Sequence, residues 1–193
     1  MKNLFLVCLL IVFSLFLFCG TTSFAQEKID SSNAISTQSA SVNYQLAWPG
    51  MLPDNPLYKL KVLRDKIMSK LVSDPIKKIE WDLIMADKTI YASLLLLDKG
   101  NIALAKETAL KGEHYFTILV TDYKWAFWRH QGITQELDER IKTAALKHQE
   151  IFDKQAYKVS QKDKKAFQDA NYFSKLNYQT ILDLKIPKDK KVK

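Results

Sequence analysis

The chain has 193 residues, with 29 Lys and Arg against 21 Asp and Glu, a formal charge of +8 and only two cysteines. Both cysteines, Cys8 and Cys19, fall within residues 1–25, so the rest of the chain cannot carry a disulfide framework. This length suits one domain that buries its own apolar core, and the positive balance favours anionic partners.

Residues 1–25 read as a signal peptide. Lys2 supplies positive charge, residues 4–19 are apolar apart from Ser14, and Ser23-Phe24-Ala25 places small residues at a cut after Ala25. The apolar run is shorter than the roughly 20 residues that span a bilayer comfortably. The expectation is a secreted or extracytoplasmic protein, with a retained N-terminal membrane anchor as the alternative. Phe18 stands before Cys19, where lipidation needs a small residue. Residues 26–43 are rich in Ser, Asn, Gln and Thr, lack aromatics, and read as a flexible linker.

Residues 44–55 form an extended apolar strap. Leu46, Trp48, Met51 and Leu52 are costly to leave in water, at about 1.5–3 kcal/mol for each large side chain. Pro49 and Pro53 hold the backbone extended, so the strap is expected to lie across an end or groove of the domain as a plug. The rival reading is a peptide presented to a partner.

Five helices are expected after it, over 56–72, 75–99, 101–130, 134–157 and 161–185. The first follows Asn55-Pro56 and carries Leu57, Leu60, Leu63, Ile67 and Leu71 at helical steps. The second follows Asp74-Pro75, with Ile76, Ile79, Leu83, Ala86, Ile90, Leu94 and Leu97 on one face and Gly100 as terminator. Asn101 opens the third at once, which forces an antiparallel hairpin. Its inner stripe is Ala105, Thr108, Gly112, Phe116, Leu119, Tyr123 and Phe127, and Gly132 marks its end. Thr134 can cap the fourth, with the stripe Leu137, Ile141, Ala145, His148 and Phe152. Ser160 and Asp163 resemble a capping box for the fifth, which uses Phe167, Ala170, Phe173, Asn177, Ile181 and Leu184 and stops before Pro187. The fold class is therefore an all-α antiparallel helical bundle, with residues 44–186 as the domain and 187–193 as a basic tail.

The stretches LPDNPLYKLKVLRDKI and DPIKKIEWDLIMADKTIYASLLLLDKGN carry a proline-flanked LPxxPLYxLK opening and a DP-initiated helix. This pattern resembles a bacterial family of exported or membrane-tethered helical domains of unknown function, over about residues 44–125. Leu52, Pro53, Pro56, Leu57, Tyr58, Leu60 and Lys61 match the first part and Asp74-Pro75 the second. The resemblance implies a helical fold and an envelope location, and brings no catalytic residues. It does not reach residues 133–193.

His114, His130 and His148 sit in no metal-ligand or haem spacing, and no phosphate loop, nucleophile elbow or calcium loop is present. No enzyme activity, metal or cofactor is expected. Glu113 and His114 are adjacent and diverge by about 100° on a helix. In DYKWAFWRH, Tyr123 and Phe127 belong to the inner stripe, whereas Trp125 and Trp128 point elsewhere, where they either pack against the strap or the fifth helix or form an exposed aromatic patch beside Arg129. Trp48, Trp125, Trp128 and Arg129 are thus the candidate partner-binding residues. The expected function is an exported interaction module at the cell envelope, binding an envelope protein or an anionic surface rather than nucleic acid. The alternatives are a membrane- or wall-polymer binder using the tail and the aromatics, and a cryptic hydrolase.

Overall fold

The computed structural model describes residues 41–184. The expected signal peptide, residues 26–40 of the expected linker, and the basic tail lie outside the described residues. Among the described residues five helices follow one another: α1 (Tyr58–Leu71), α2 (Pro75–Asp98), α3 (Ile102–Trp128), α4 (Gln135–Lys158) and α5 (Gln161–Asp183). Among the described residues there is no strand, and the fold is an all-α bundle with an extended strap before α1.

Local chemistry sets most of the helix boundaries. Asp74 Oδ1 accepts from the Lys77 N–H at 2.9 Å, and Pro75 occupies the first position of α2. The α2 terminus is a Schellman turn: Asn101 N–H donates to Leu96 O and Gly100 N–H to Leu97 O, with Gly100 at φ +81°. Asn101 and Thr134 cap α3 and α4 through Leu104 N and Leu137 N. Two start signals work differently from expectation. Asn55 Oδ1 accepts from Leu57 N, an Asx turn, so Pro56 and Leu57 precede the helix and α1 begins at Tyr58. Ser160 makes no cap to the backbone; its hydroxyl donates to Asp163, which also pairs with Lys106 at 2.6 Å.

Helices α2 to α5 close a ring in the order α2, α3, α5, α4, with the tightest packing between α2 and α3. That tightness comes from Gly112, where an added Cβ would lie 2.5 Å from Ile90 Cγ1 and 3.0 Å from Ile90 N. Two apolar clusters fill the ring. One gathers Ile79, Leu83, Phe116, Leu119, Tyr123, Ile141 and Ile181; the other gathers Ile90, Leu96, Ala105, Ala109, Phe152 and Phe167. Phe173, expected on the inner stripe of α5, is exposed, because that helix turns Asn171 and Ser174 inward in its place.

The strap docks beside α2 and α4, and its anchors differ from those expected. Tyr44 packs on the first cluster and Leu46 on the second. The Tyr44 hydroxyl donates to Asp87 at 2.7 Å, and Val42 N–H donates to Glu150 at 2.9 Å. Pro49 is buried, Met51 is exposed, and Trp48 is 65% exposed, its ring set edge-on to Tyr91 at 5.4 Å. The plug is therefore built on Tyr44 and Leu46, not on Trp48 and Met51.

The largest departure is α1. A bundle helix would turn its stripe of Leu60, Leu63, Ile67 and Leu71 inward, yet all four, and Leu57 just before the helix, are exposed. The side turned to the bundle carries Tyr58, Lys61, Val62, Asp65 and Ser69 instead. Among the described residues, no helix pairs closely with α1.

Candidate docking surface

Helix α1 has the sequence YKLKVLRDKIMSKL, with Lys59, Lys61, Arg64, Lys66 and Lys70 against the single acid Asp65. At 100° per residue, Leu63, Ile67, Leu60 and Leu71 share an arc of about 80°, and Met68 lies about 60° further round, beyond Arg64. All five are exposed, Leu60 by 65%. Lys66, Lys59 and Lys70 lie side by side along one edge of that arc, and none has a carboxylate partner among the described residues. Lys61 lies on the other side and is occupied: its ammonium donates to Pro49 O at 2.7 Å and to Met51 O at 3.2 Å, fastening α1 to the strap.

Beneath α1 runs a groove of about 390 Å³, floored by Trp81, Met85, Lys88, Lys111 and Tyr115 and roofed by Tyr58, Val62, Asp65 and Ser69, with Leu63, Lys66, Ile67 and Lys70 also lining it. The Lys61 and Lys111 ammoniums stand 5.3 and 5.9 Å from the Tyr58 ring centre. Burial pushes the Tyr58 and Tyr115 hydroxyls up and the Lys61 ammonium down from their ordinary values. Asp65 is buried and paired with the neighbouring Arg64 at 2.7 Å. An apolar outer face above a half-polar inner face makes α1 a raised rod rather than a core helix.

Trp125 and Trp128 are 60% and 66% exposed at the end of α3. The Arg129 guanidinium lies 5.5 Å from the Trp125 ring centre, and Trp128 meets Phe127 edge-on at 5.4 Å. Trp125 and Arg129 share a depression of about 410 Å³ with Val72 and Ser73, which follow α1. The structure thus brings Trp125 and Arg129 to the end of α1, with Trp128 beside them in a second depression. Trp48 is elsewhere, on Tyr91, which stands about 20 Å along α2 from Lys78 of that depression. The stripe of α1 was legible as apolar but not as outward. The signal that points outward is the excess of basic residues along its edge.

Buried polar groups are interleaved with the two apolar clusters. His148 Nε2 donates to Asp87 at 2.8 Å, and the His148 ring meets Phe116 edge-on. Gln155 bonds Ser93 at 2.9 Å. Asn177 Nδ2 donates to Glu113 at 2.7 Å and to Thr117 at 2.9 Å. Burial lifts the Glu113 carboxyl to about 8, against opposing hydrogen bonds from Asn177 and Ser174. His148 is fully buried, so the Asp87–His148 pair offers no approach to a substrate. Glu113 and His114 edge a shallow depression of about 240 Å³, with the Glu113 side chain turned inward to Asn177. Among the described residues, no three His, Cys, Asp or Glu side chains gather to hold a metal, and no helix is long and apolar enough to cross a membrane.

No family model, no curated protein and no solved structure matches the chain.

Proposed function

We propose that this chain is an exported, non-catalytic docking module of the cell envelope, with the outer face of α1 as its working surface. The observation that carries the reading is the orientation of α1. Five large apolar side chains face solvent on one helix, while the bundle behind it closes its own core without them. Isolated exposed leucines need no explanation, but a continuous row of them marks a surface that meets something. The export segment read in residues 1–25, and the resemblance to envelope-associated helical domains, support the location.

Trp125, Trp128 and Arg129 extend the same surface past the end of α1. Exposed tryptophans beside an arginine are side chains that concentrate binding energy at interfaces. Trp48 is no part of this patch and serves the strap.

A photo-crosslinking residue placed at Leu60, with a control at the exposed Glu107 of α3, tests the reading in the native envelope. Adducts to protein or lipid at position 60, absent at position 107, are the expected result. Equal yields at the two positions would remove α1 as the working surface.

A further inference from the structure

We infer that the outer face of α1 is an interfacial helix, which seats the module on an anionic lipid surface with its apolar stripe in the headgroup–acyl boundary. This rests on the docking role proposed for α1 and names what it docks on. Three observations converge. The stripe is convex and continuous, from Leu60 through Leu63 and Ile67 to Leu71, a shape suited to a fluid apolar layer. Its edge is basic: Lys59, Lys66 and Lys70 lie within about 40° of one another at 100° per residue, on stems long enough to reach phosphates while the leucines sink. The charges also argue against a second copy as the occupant. Two α1 faces brought together would oppose the three unpaired lysines of one, Lys59, Lys66 and Lys70, with the same three of the other, and each helix offers one carboxylate, Asp65, which is buried against its own Arg64.

Trp125 and Trp128 lie close to the end of α1. They are exposed where α1 ends, with Arg129 over the first ring, and tryptophan is the residue that favours the membrane–water boundary. The groove beneath α1 separates the helix from the bundle and leaves its apolar stripe in solvent.

The test uses residues 26–193, which contain the whole described bundle with its core. The protein is sedimented with phosphatidylglycerol-rich vesicles and with pure phosphatidylcholine vesicles. Binding to the first and not to the second is expected. Neutralising the edge with Lys59→Gln, Lys66→Gln and Lys70→Gln together weakens partitioning on the order of a hundredfold. Leu60→Ser with Ile67→Ser weakens it by a similar factor. Both sets change exposed side chains, so circular dichroism and the melt should stay near wild type. Residues 26–193 contain no cysteine, so Ile67→Cys accepts one environment-sensitive fluorophore, whose emission should shift to the blue on the anionic vesicles.

Unchanged binding by either variant set overturns the inference, as does equal binding to both vesicles. Concentration-dependent dimers that Leu60→Ser and Ile67→Ser abolish, without vesicle binding, assign the stripe to a second copy. A protein adduct at position 60 without vesicle binding assigns it to a protein partner. Each of these two outcomes sinks the lipid surface and leaves the docking role of α1 intact. A full-length chain whose label is already blue-shifted without vesicles assigns the stripe to residues 1–25.

Discussion

The Tyr44 hydroxyl reaches Asp87 at 2.7 Å on the side of that carboxyl opposite His148, so one strap residue completes a polar contact between α2 and α4. Asp87 is buried, and its two oxygens are each taken by one of these partners. Burial, reinforced by the Asp87 carboxylate, holds the Tyr44 hydroxyl well above its ordinary range, so it stays a donor at any ordinary pH.

Tyr44→Phe therefore keeps the ring in place and leaves one Asp87 oxygen without a donor. The expected loss is about 1–3 kcal/mol of unfolding free energy. Trp48→Ala, at a ring that is mostly exposed and touches Tyr91 by its edge, should cost under about 1 kcal/mol. Urea denaturation of the two variants checks the order. A larger loss at Trp48 would return the strap's anchor to where the sequence placed it.

Gly112 tests the seam between α2 and α3. An alanine here gains about 1 kcal/mol of helix propensity, yet its methyl meets Ile90 Cγ1 and the Ile90 backbone nitrogen. Overpacking of this kind costs about 1–3 kcal/mol, so Gly112→Ala should be destabilised on balance. Adding Ile90→Ala removes the nearer clash. The double variant should then lose less than the sum of the two single losses, by chemical denaturation.

The four bundle helices were legible because each holds a helical period over 23 to 27 residues between chemically marked ends. Helix α1 shows what periodicity leaves open. The spacing of Leu60, Leu63, Ile67 and Leu71 shows that one face is apolar, but not whether that face turns to the core or to something outside the chain. The decision was made by the bundle, which fills its ring with α2 to α5 and offers α1 a ledge lined by Lys88, Lys111 and Tyr115. The buried polar groups were illegible for another reason. Tyr44, Asp87 and His148 come from distant parts of the chain, and no local pattern announces that they meet. Trp125 and Trp128 were separable from the inner stripe by angle alone, and both stand exposed.

His130 occupies the left-handed position that ends α3, at φ 54°, where the sequence pointed instead to Gly132. Gln131 N–H donates to Ala126 O and His130 N–H to Phe127 O, the same turn that Gly100 makes after α2. A residue with a Cβ is strained there, so His130→Gly should raise stability by about 1 kcal/mol. The mirror experiment is Gly100→Ala. Nothing lies within 4 Å of the added Cβ, so its loss of about 1 kcal/mol is conformational alone. Thermal melts of the pair should move in opposite directions.

Glu113 predicts how stability depends on pH. Burial lifts its carboxyl to about 8 in the folded chain, from 4.5 when unfolded. Between these values the folded protein keeps a proton that the unfolded chain has released. The native state then binds more protons, so stability falls as pH rises through this window. Full stability is present below about pH 4.5, and the loss is complete above about pH 8, amounting to a few kcal/mol at this depth of burial. Glu113→Gln keeps an acceptor for Asn177 and cannot ionise. The variant should match wild type at pH 5, exceed it at pH 8, and show a flatter profile between. Urea midpoints at several pH values measure this. A wild-type profile as flat as that of Glu113→Gln would mean that the carboxyl ionises in the core at its ordinary pH.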